Sequence, residues 1–166
     1  MKIIGIMGWA GSGKDTVADV ILEILDERGL RARRRSLANP VKDIAYEMGW
    51  DGKKDDAGRK LLQDVGMCGR AYSKDVWLDM AKRYIRYYDH NTHLAVIPDV
   101  RFENEADWCM QEGTLIRVIR DGVEQLDHPS ETELDNYLVP VTVHNNGSKE
   151  DLKTELTVEL ERVGMI

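Results

Sequence analysis

The stretch Lys2-Ile3-Ile4-Gly5-Ile6-Met7-Gly8-Trp9-Ala10-Gly11-Ser12-Gly13-Lys14-Asp15-Thr16 decides the fold. Its opening residues, from Lys2 to Met7, are rich in isoleucine and lack polar alternation, the pattern of a short strand covered by helices on both faces. Glycines follow at once. From Asp15 to Arg28 the apolar residues Val17, Val20, Ile21, Ile24 and Leu25 recur with a helical period until Gly29 supplies a stop. The reading is strand, glycine loop, helix. Gly8 to Lys14 fits the pattern Gly-x-x-x-x-Gly-Lys in the strand-to-helix setting this pattern needs to bind phosphate. The glycines let the backbone curl so that successive N–H groups face a phosphate, and the helix N-terminus adds partial positive charge. Lys14 is placed to reach β- and γ-phosphates, and Gly11, Ser12, Gly13, Lys14, Asp15 and Thr16 are the expected phosphate-loop ligands.

Outward from this loop, a second strand is predicted over Arg31 to Leu37 and a helix from Asn39-Pro40 to Met48, with proline at the first helical position. Gly49 to Asp56 is polar and glycine-containing, a connection. Leu61, Leu62 and Val65, then Val76, Met80 and Tyr84, mark two further helices. His93 to Val100 reads as a buried strand, Glu103 to Glu112 as a helix and Thr114 to Ile119 as a strand; Val139 to Val143 is the last strand, before a closing helix from Ser148. Strands and helices alternate, which implies right-handed crossovers. The expected fold is α/β with three layers: a five-stranded parallel sheet with helices on both faces and ligands beyond the strands' carboxyl ends. Asp121 to Tyr137 has weak periodicity and is expected to form a short lid, residues 120–137.

The chain of 166 residues is the length of one domain, 1–166. Its 23 basic and 30 acidic residues leave a net charge of −7 with no sustained basic stripe, which disfavours nucleic acid as a partner. Small anions remain allowed, since a few local cations and backbone amides hold them. The cluster Arg31, Arg33, Arg34 and Arg35 reads as a solvated edge or a subunit contact, which leaves a homodimer open. No apolar run approaches the ~18 residues of a membrane span, and a soluble, cytoplasmic protein without membrane partners is expected. Cys68 and Cys109 are single and far apart, with no metal-site spacing around them.

Two carboxylates qualify as catalytic and metal-binding candidates. Position 15 is Asp where the usual loop carries the Ser or Thr that holds magnesium, and the hydroxyl arrives one residue later at Thr16. Asp15 either binds Mg²⁺, directly or through water, or orients an arginine that holds an acceptor phosphate; a plain dipole-complementing charge is the third reading. The run Leu94-Ala95-Val96-Ile97-Pro98-Asp99 ends in an acid at a strand's carboxyl end, where it would face the phosphates. Arg101 lies two residues on, and an Asp99/Arg101 pair there would bridge the metal and a transferred phosphoryl group.

Read together, Ser12-Gly13-Lys14-Asp15-Thr16, Ala38-Asn39-Pro40-Val41-Lys42, Leu61-Leu62-Gln63 with Arg59 and Arg70, Asp75-Val76-Trp77, Asp99-Val100-Arg101-Phe102-Glu103-Asn104-Glu105 and His128-Pro129-Ser130-Glu131 resemble the bacteriophage deoxynucleoside monophosphate kinases, a branch of the P-loop kinases. The resemblance covers nearly the whole chain in order. A weaker one extends to animal phosphomevalonate kinases. The first implies a P-loop kinase fold and transfer of the ATP γ-phosphoryl group to a deoxynucleoside monophosphate (dNMP), with Mg²⁺ as cofactor, a part in nucleotide biosynthesis, and the host cytoplasm as location if the chain is phage-encoded. It implies that residues 38–90 form a helical acceptor-binding region. Lys42, Arg59, Gln63, Arg70, Trp77, Asp99, Arg101, Glu105 and Glu131 would then bind substrate, with Trp77 stacking on the base, Gln63 bonding its edge and the arginines gripping its phosphate.

On the donor side, His144-Asn145-Asn146-Gly147-Ser148 follows the last strand, and Asn146 is the expected ATP contact there. Arg120 opens the lid segment and is the expected cation over the phosphates, with Arg117 as the other candidate. Related kinases carry several lid arginines, whereas Asp121 to Gln125 has none. Two rival functions remain at this stage: a kinase for a non-nucleotide phosphate such as phosphomevalonate, and a regulatory nucleotide-binding module with slow hydrolysis.

Overall fold

The computed structural model describes residues 1–88, 91–125 and 128–166. Five strands, β1 (Lys2–Met7), β2 (Ala32–Arg34), β3 (Leu94–Ile97), β4 (Gly113–Ile119) and β5 (Val141–His144), form one sheet in the order β2-β3-β1-β4-β5. Every pairing is parallel, with Ile4 opposite both Val96 and Thr114. The chain leaves β1 to one side through α1 (Lys14–Glu27) and crosses to the other through α5 (Glu103–Glu112). The carboxyl end of the central strand is therefore the open crevice of the sheet, and the glycine loop occupies it.

The pleat sorts β1 between two layers. Ile4 and Ile6 join Val96, Ile116, Val118, Val141 and Val143 in a core completed by Val17, Val20, Ile21 and Leu25 of α1 and by Leu152, Leu156 and Leu160 of α7 (Lys149–Arg162). On the opposite face α5 lies against β1 and β4. There the approach is so close that a side chain on Gly5 would strike Cys109 and Leu115. Ser148 caps α7, accepting from the Asp151 N–H at 3.1 Å, where the sequence places the start of the closing helix.

Three strands differ from expectation at their ends. β2 spans only Ala32–Arg34, because an edge strand flanked by arginines is not buried on both faces; Arg33 and Arg34 are exposed. β3 stops at Ile97 because Pro98 has no N–H to continue the ladder. β5 begins at Val141, after Pro140. The expected lid segment contains a short helix, α6 (Pro129–Thr132), and buries Glu131 and Leu134. Residues 126 and 127 of that segment lie outside the described residues.

The chain divides into two compact units, residues 1–35 with 91–166, and residues 36–90. The second unit consists of α2 (Asn39–Glu47), α3 (Asp56–Tyr72) and α4 (Val76–Tyr88). Asp55 caps α3 through the Gly58 N–H at 2.9 Å. Cys109 is buried and Cys68 exposed, and neither is in a disulfide. No described helix is long and apolar enough to cross a membrane. Leu156→Ala, at a site with 0% exposure, is expected to cost about 2–5 kcal/mol in urea unfolding, whereas Val158→Ala on the open face of the same helix stays within about 0.5 kcal/mol.

Candidate active site

The phosphate loop takes a path reserved for glycine. Gly8, Gly11 and Gly13 have φ of 145°, 86° and 91°. A Cβ on Gly8 would meet the Val118 carbonyl oxygen at 2.5 Å, and one on Gly13 would run into the Asn145 carboxamide. Gly13 begins α1 without a side-chain cap, so the first-turn amides are left for another acceptor. The Ser12 hydroxyl is buried in the same loop and makes no hydrogen bond among the described residues. An anion with several oxygens fits this set of donors.

Lys14 folds back over the loop, its Nζ donating to the Gly8 carbonyl at 2.5 Å and the Trp9 carbonyl at 2.8 Å. Burial first, and then the charge of Arg101, lower its pKa to about 8; Glu131, Asp15 and Asp99 oppose the shift. Lys14, Arg101, Glu131, Asp15 and Asp99 therefore form one electrostatically coupled group. Arg101 pairs with Glu131 through Nη1, which also lies 3.3 Å from the Ser130 carbonyl and hydroxyl. Glu131 in turn accepts from the Ala10 N–H at 2.7 Å. Gly8, Trp9, Arg101 and Glu131 line a shared cleft.

The carboxylate of Asp15 pairs with Arg34, which also reaches Asp19 at 3.2 Å. Arg34 is the arginine that Asp15 meets in this arrangement. Glu105 is buried at 3% exposure and uses Oε2 to accept from the N–H groups of Arg101 and Phe102, at 2.8 and 3.2 Å. Its carboxylate fixes the backbone that carries Arg101.

The sequence model of the deoxynucleotide monophosphate kinase family matches residues 50–156. The chain belongs to this family. A protein of Acanthamoeba polyphaga mimivirus described as "Putative deoxynucleotide monophosphate kinase" is 32% identical, the match covering 81% of this chain and 82% of that one. Among solved structures, a gluconokinase from Sinorhizobium meliloti 1021 is similar with a TM-score of 0.52 and 16% identity, over 99% of this chain and 94% of that one. A shikimate kinase from Acinetobacter baumannii in complex with shikimate gives 0.52 and 15%, over 98% and 94%, and the shikimate kinase of Aquifex aeolicus gives 0.50 and 14%, over 98% of each chain. These likenesses show the fold, that of the P-loop kinases. Family and fold are those of phosphotransferases.

Several expected site residues of this kinase have structural work to do. Arg117 donates to the carbonyls of Leu134, Asp135 and Tyr137 at 2.9, 3.0 and 2.6 Å, so it pins the segment after α6 and is not a mobile lid cation. Arg120 follows β4 directly and is exposed. Asn146 accepts from the Asp121 N–H at 2.9 Å, while its neighbour Asn145 donates to the Ser12 carbonyl at 3.0 Å. Asn145 and Arg34 were not singled out as site residues. An Asn pair in a loop signals a turn, and an arginine run signals a surface, so neither pattern carries its contact partner.

Within the helical unit, Arg59, Gln63 and Arg70 share one face of α3 by their spacing. Arg59 is exposed; Lys42 on α2, Gln63 and Arg70 are half-buried. Trp77 departs from the expected base platform. It is 5% exposed, its ring packs on Gly69, and its indole N–H donates to the Gly66 carbonyl at 2.8 Å. The ring and its polar tip both serve the α3–α4 packing.

Two tests follow from these placements. Trp77→Phe, which keeps the packing bulk, is expected to lower the melting temperature by a few degrees while leaving acceptor KM unchanged. For Lys14, the free protein loses the ammonium charge as pH rises through about 8, whereas a bound polyphosphate favours the charged form. Calorimetric titration with ATP should therefore show affinity falling toward about tenfold per unit above that pH. A flat profile from pH 7 to 9 would show that Lys14 does not lose its charge in that range.

Proposed function

We propose that the chain transfers the γ-phosphoryl group of ATP to a deoxynucleoside 5′-monophosphate, yielding the diphosphate and ADP. The observation that carries this reading is a glycine loop with uncapped amides, a buried Ser12 hydroxyl unbonded among the described residues and Lys14 folded over it, in a member of this family. The loop amides and Lys14 hold the β- and γ-phosphates, with Asn146 and the loop after β5 on the donor side. Arg101 stabilises the charge that spreads over the equatorial oxygens as an acceptor phosphate oxygen attacks the γ-phosphorus in line. The bond from phosphorus to the β–γ bridging oxygen breaks, and its electron pair leaves with ADP. The attacking oxygen is already anionic, so no side chain need remove a proton.

Acceptor binding falls to the helical unit, residues 38–90, with Arg59, Gln63 and Arg70 presented together on α3 and Lys42 on α2. Arg120 opens the lid-like segment 120–137 and is the cation over the phosphates. Asp99 and Asp15 are the carboxylates that would hold magnesium. Mg²⁺ takes one or two carboxylates beside substrate phosphates and waters, so this hard-oxygen pair suits it; when bound it neutralises phosphate charge. The site of action is the cytoplasm, of the host for a viral gene product.

Lys14→Ala and Arg101→Ala are each expected to lower kcat by about a hundred- to a thousandfold with the circular dichroism spectrum retained. The decisive assay is coupled ADP release against a panel of deoxy- and ribonucleoside monophosphates and phosphomevalonate. Hydrolysis without stimulation by any nucleotide would sink the reading, and stimulation by phosphomevalonate alone would move it to a different acceptor class.

A further inference from the structure

Glu131 has both carboxylate oxygens engaged beside the phosphate loop. Its side chain is 4% exposed, on a four-residue helix in the segment after β4. One carboxylate oxygen accepts from the Ala10 N–H at 2.7 Å and the other pairs with Arg101 Nη1. Ser130 adds its carbonyl and hydroxyl to the same nitrogen at 3.3 Å. Among the described residues, every hydrogen bond of the Arg101 guanidinium falls on Nη1, and the Nε and Nη2 edge makes none. A guanidinium is a rigid planar fork, so fixing one arm fixes the plane and aims the remaining donors.

We infer that Glu131 is a positioning residue: it is the strut that sets the Arg101 plane relative to the loop at Ala10 before any phosphate arrives, and it is not a substrate ligand. Sequence reasoning placed it among the substrate-binding residues. A carboxylate with both oxygens taken and almost no exposure has no edge to offer a sugar or base, and its charge repels a phosphoryl group. A buried carboxylate is tolerated here because a backbone amide and a guanidinium share it. This inference rests on the role given to Arg101 above.

The test combines Glu131→Gln, Arg101→Ala and the double variant in steady-state assays with ATP and the dNMP that wild type prefers. Hydrogen exchange of segment 8–13 in the free proteins is followed alongside. Misplacing a phosphate-binding group by about an ångström costs on the order of a hundredfold, so Glu131→Gln should lower kcat by roughly 10- to 100-fold while acceptor KM changes less than about threefold. In the Arg101→Ala background the same change should cost less than about twofold, since its effect passes through Arg101. Segment 8–13 should exchange faster in Glu131→Gln while α7 is unaltered, and Glu131→Asp should recover part of kcat. Additive losses, unchanged exchange, or a raised acceptor KM with intact kcat would overturn the inference. If Glu131→Gln does not fold, Glu131→Asp carries the same comparisons. A wild type that phosphorylates no dNMP defeats the proposed function instead, and the exchange comparison still decides the strut.

Discussion

The loop from Gly8 to Gly13 must hold a backbone path that an unconstrained chain would abandon, and much of the molecule is arranged to keep it. Three glycines in positive-φ conformations make the path possible but do not fix it, because glycine is also the residue with most freedom to lose. The fixing is external. Asn145 from the end of β5 holds the Ser12 carbonyl, Glu131 holds the Ala10 amide, and Asp135 accepts from the Trp9 indole at 3.2 Å. Lys14 closes the loop on itself through two carbonyls. All-parallel pairing makes this possible, since it delivers the carboxyl ends of β1, β4 and β5 to the same edge of the sheet.

The architecture was largely legible before any coordinates. Unbroken apolar runs placed five strands and period-3.6 patterns the long helices, and the helices from Glu103 to Glu112 and from Ser148 fell within a residue of their observed bounds. Errors gathered where tertiary placement outweighs local pattern. The β2 arginines ended the strand early because an edge has one neighbour, and proline cut β3 short. At the site, the glycine loop was legible because its residue types and spacing are themselves the signal; Asp99 and Arg101 were named on the same grounds. Trp77 allowed two readings, base platform or helix packing, because an aromatic at helical spacing looks the same in both cases; its ring lies against Gly69 of α3. Arg34 and Asn145 were overlooked because their partners, Asp15 and Ser12, are distant in sequence.

The net charge of −7 gives no hint of the local balance at the loop. There Lys14 and Arg101 lie close enough to repel, and Glu131, Asp15 and Asp99 offset that repulsion. Such mixed clusters are costly to desolvate and are held by full sets of partners. The stretch from α6 onward supplies many of them: Arg117 pins its backbone, and it returns Glu131 and Asp135 to the loop. A stretch read from sequence as a mobile cover is, over its described second half, part of the scaffold.

The close approach of α5 to β1 has a practical side. Cys109 is sealed against Gly5 and has no exposed surface, whereas Cys68 stands exposed on α3. A thiol reagent applied to the folded protein therefore meets one reactive position. That position lies in the helical unit, while the phosphate loop belongs to the other. A fluorophore or spin label on Cys68 would report on the helical unit without a cysteine-free background having to be built first.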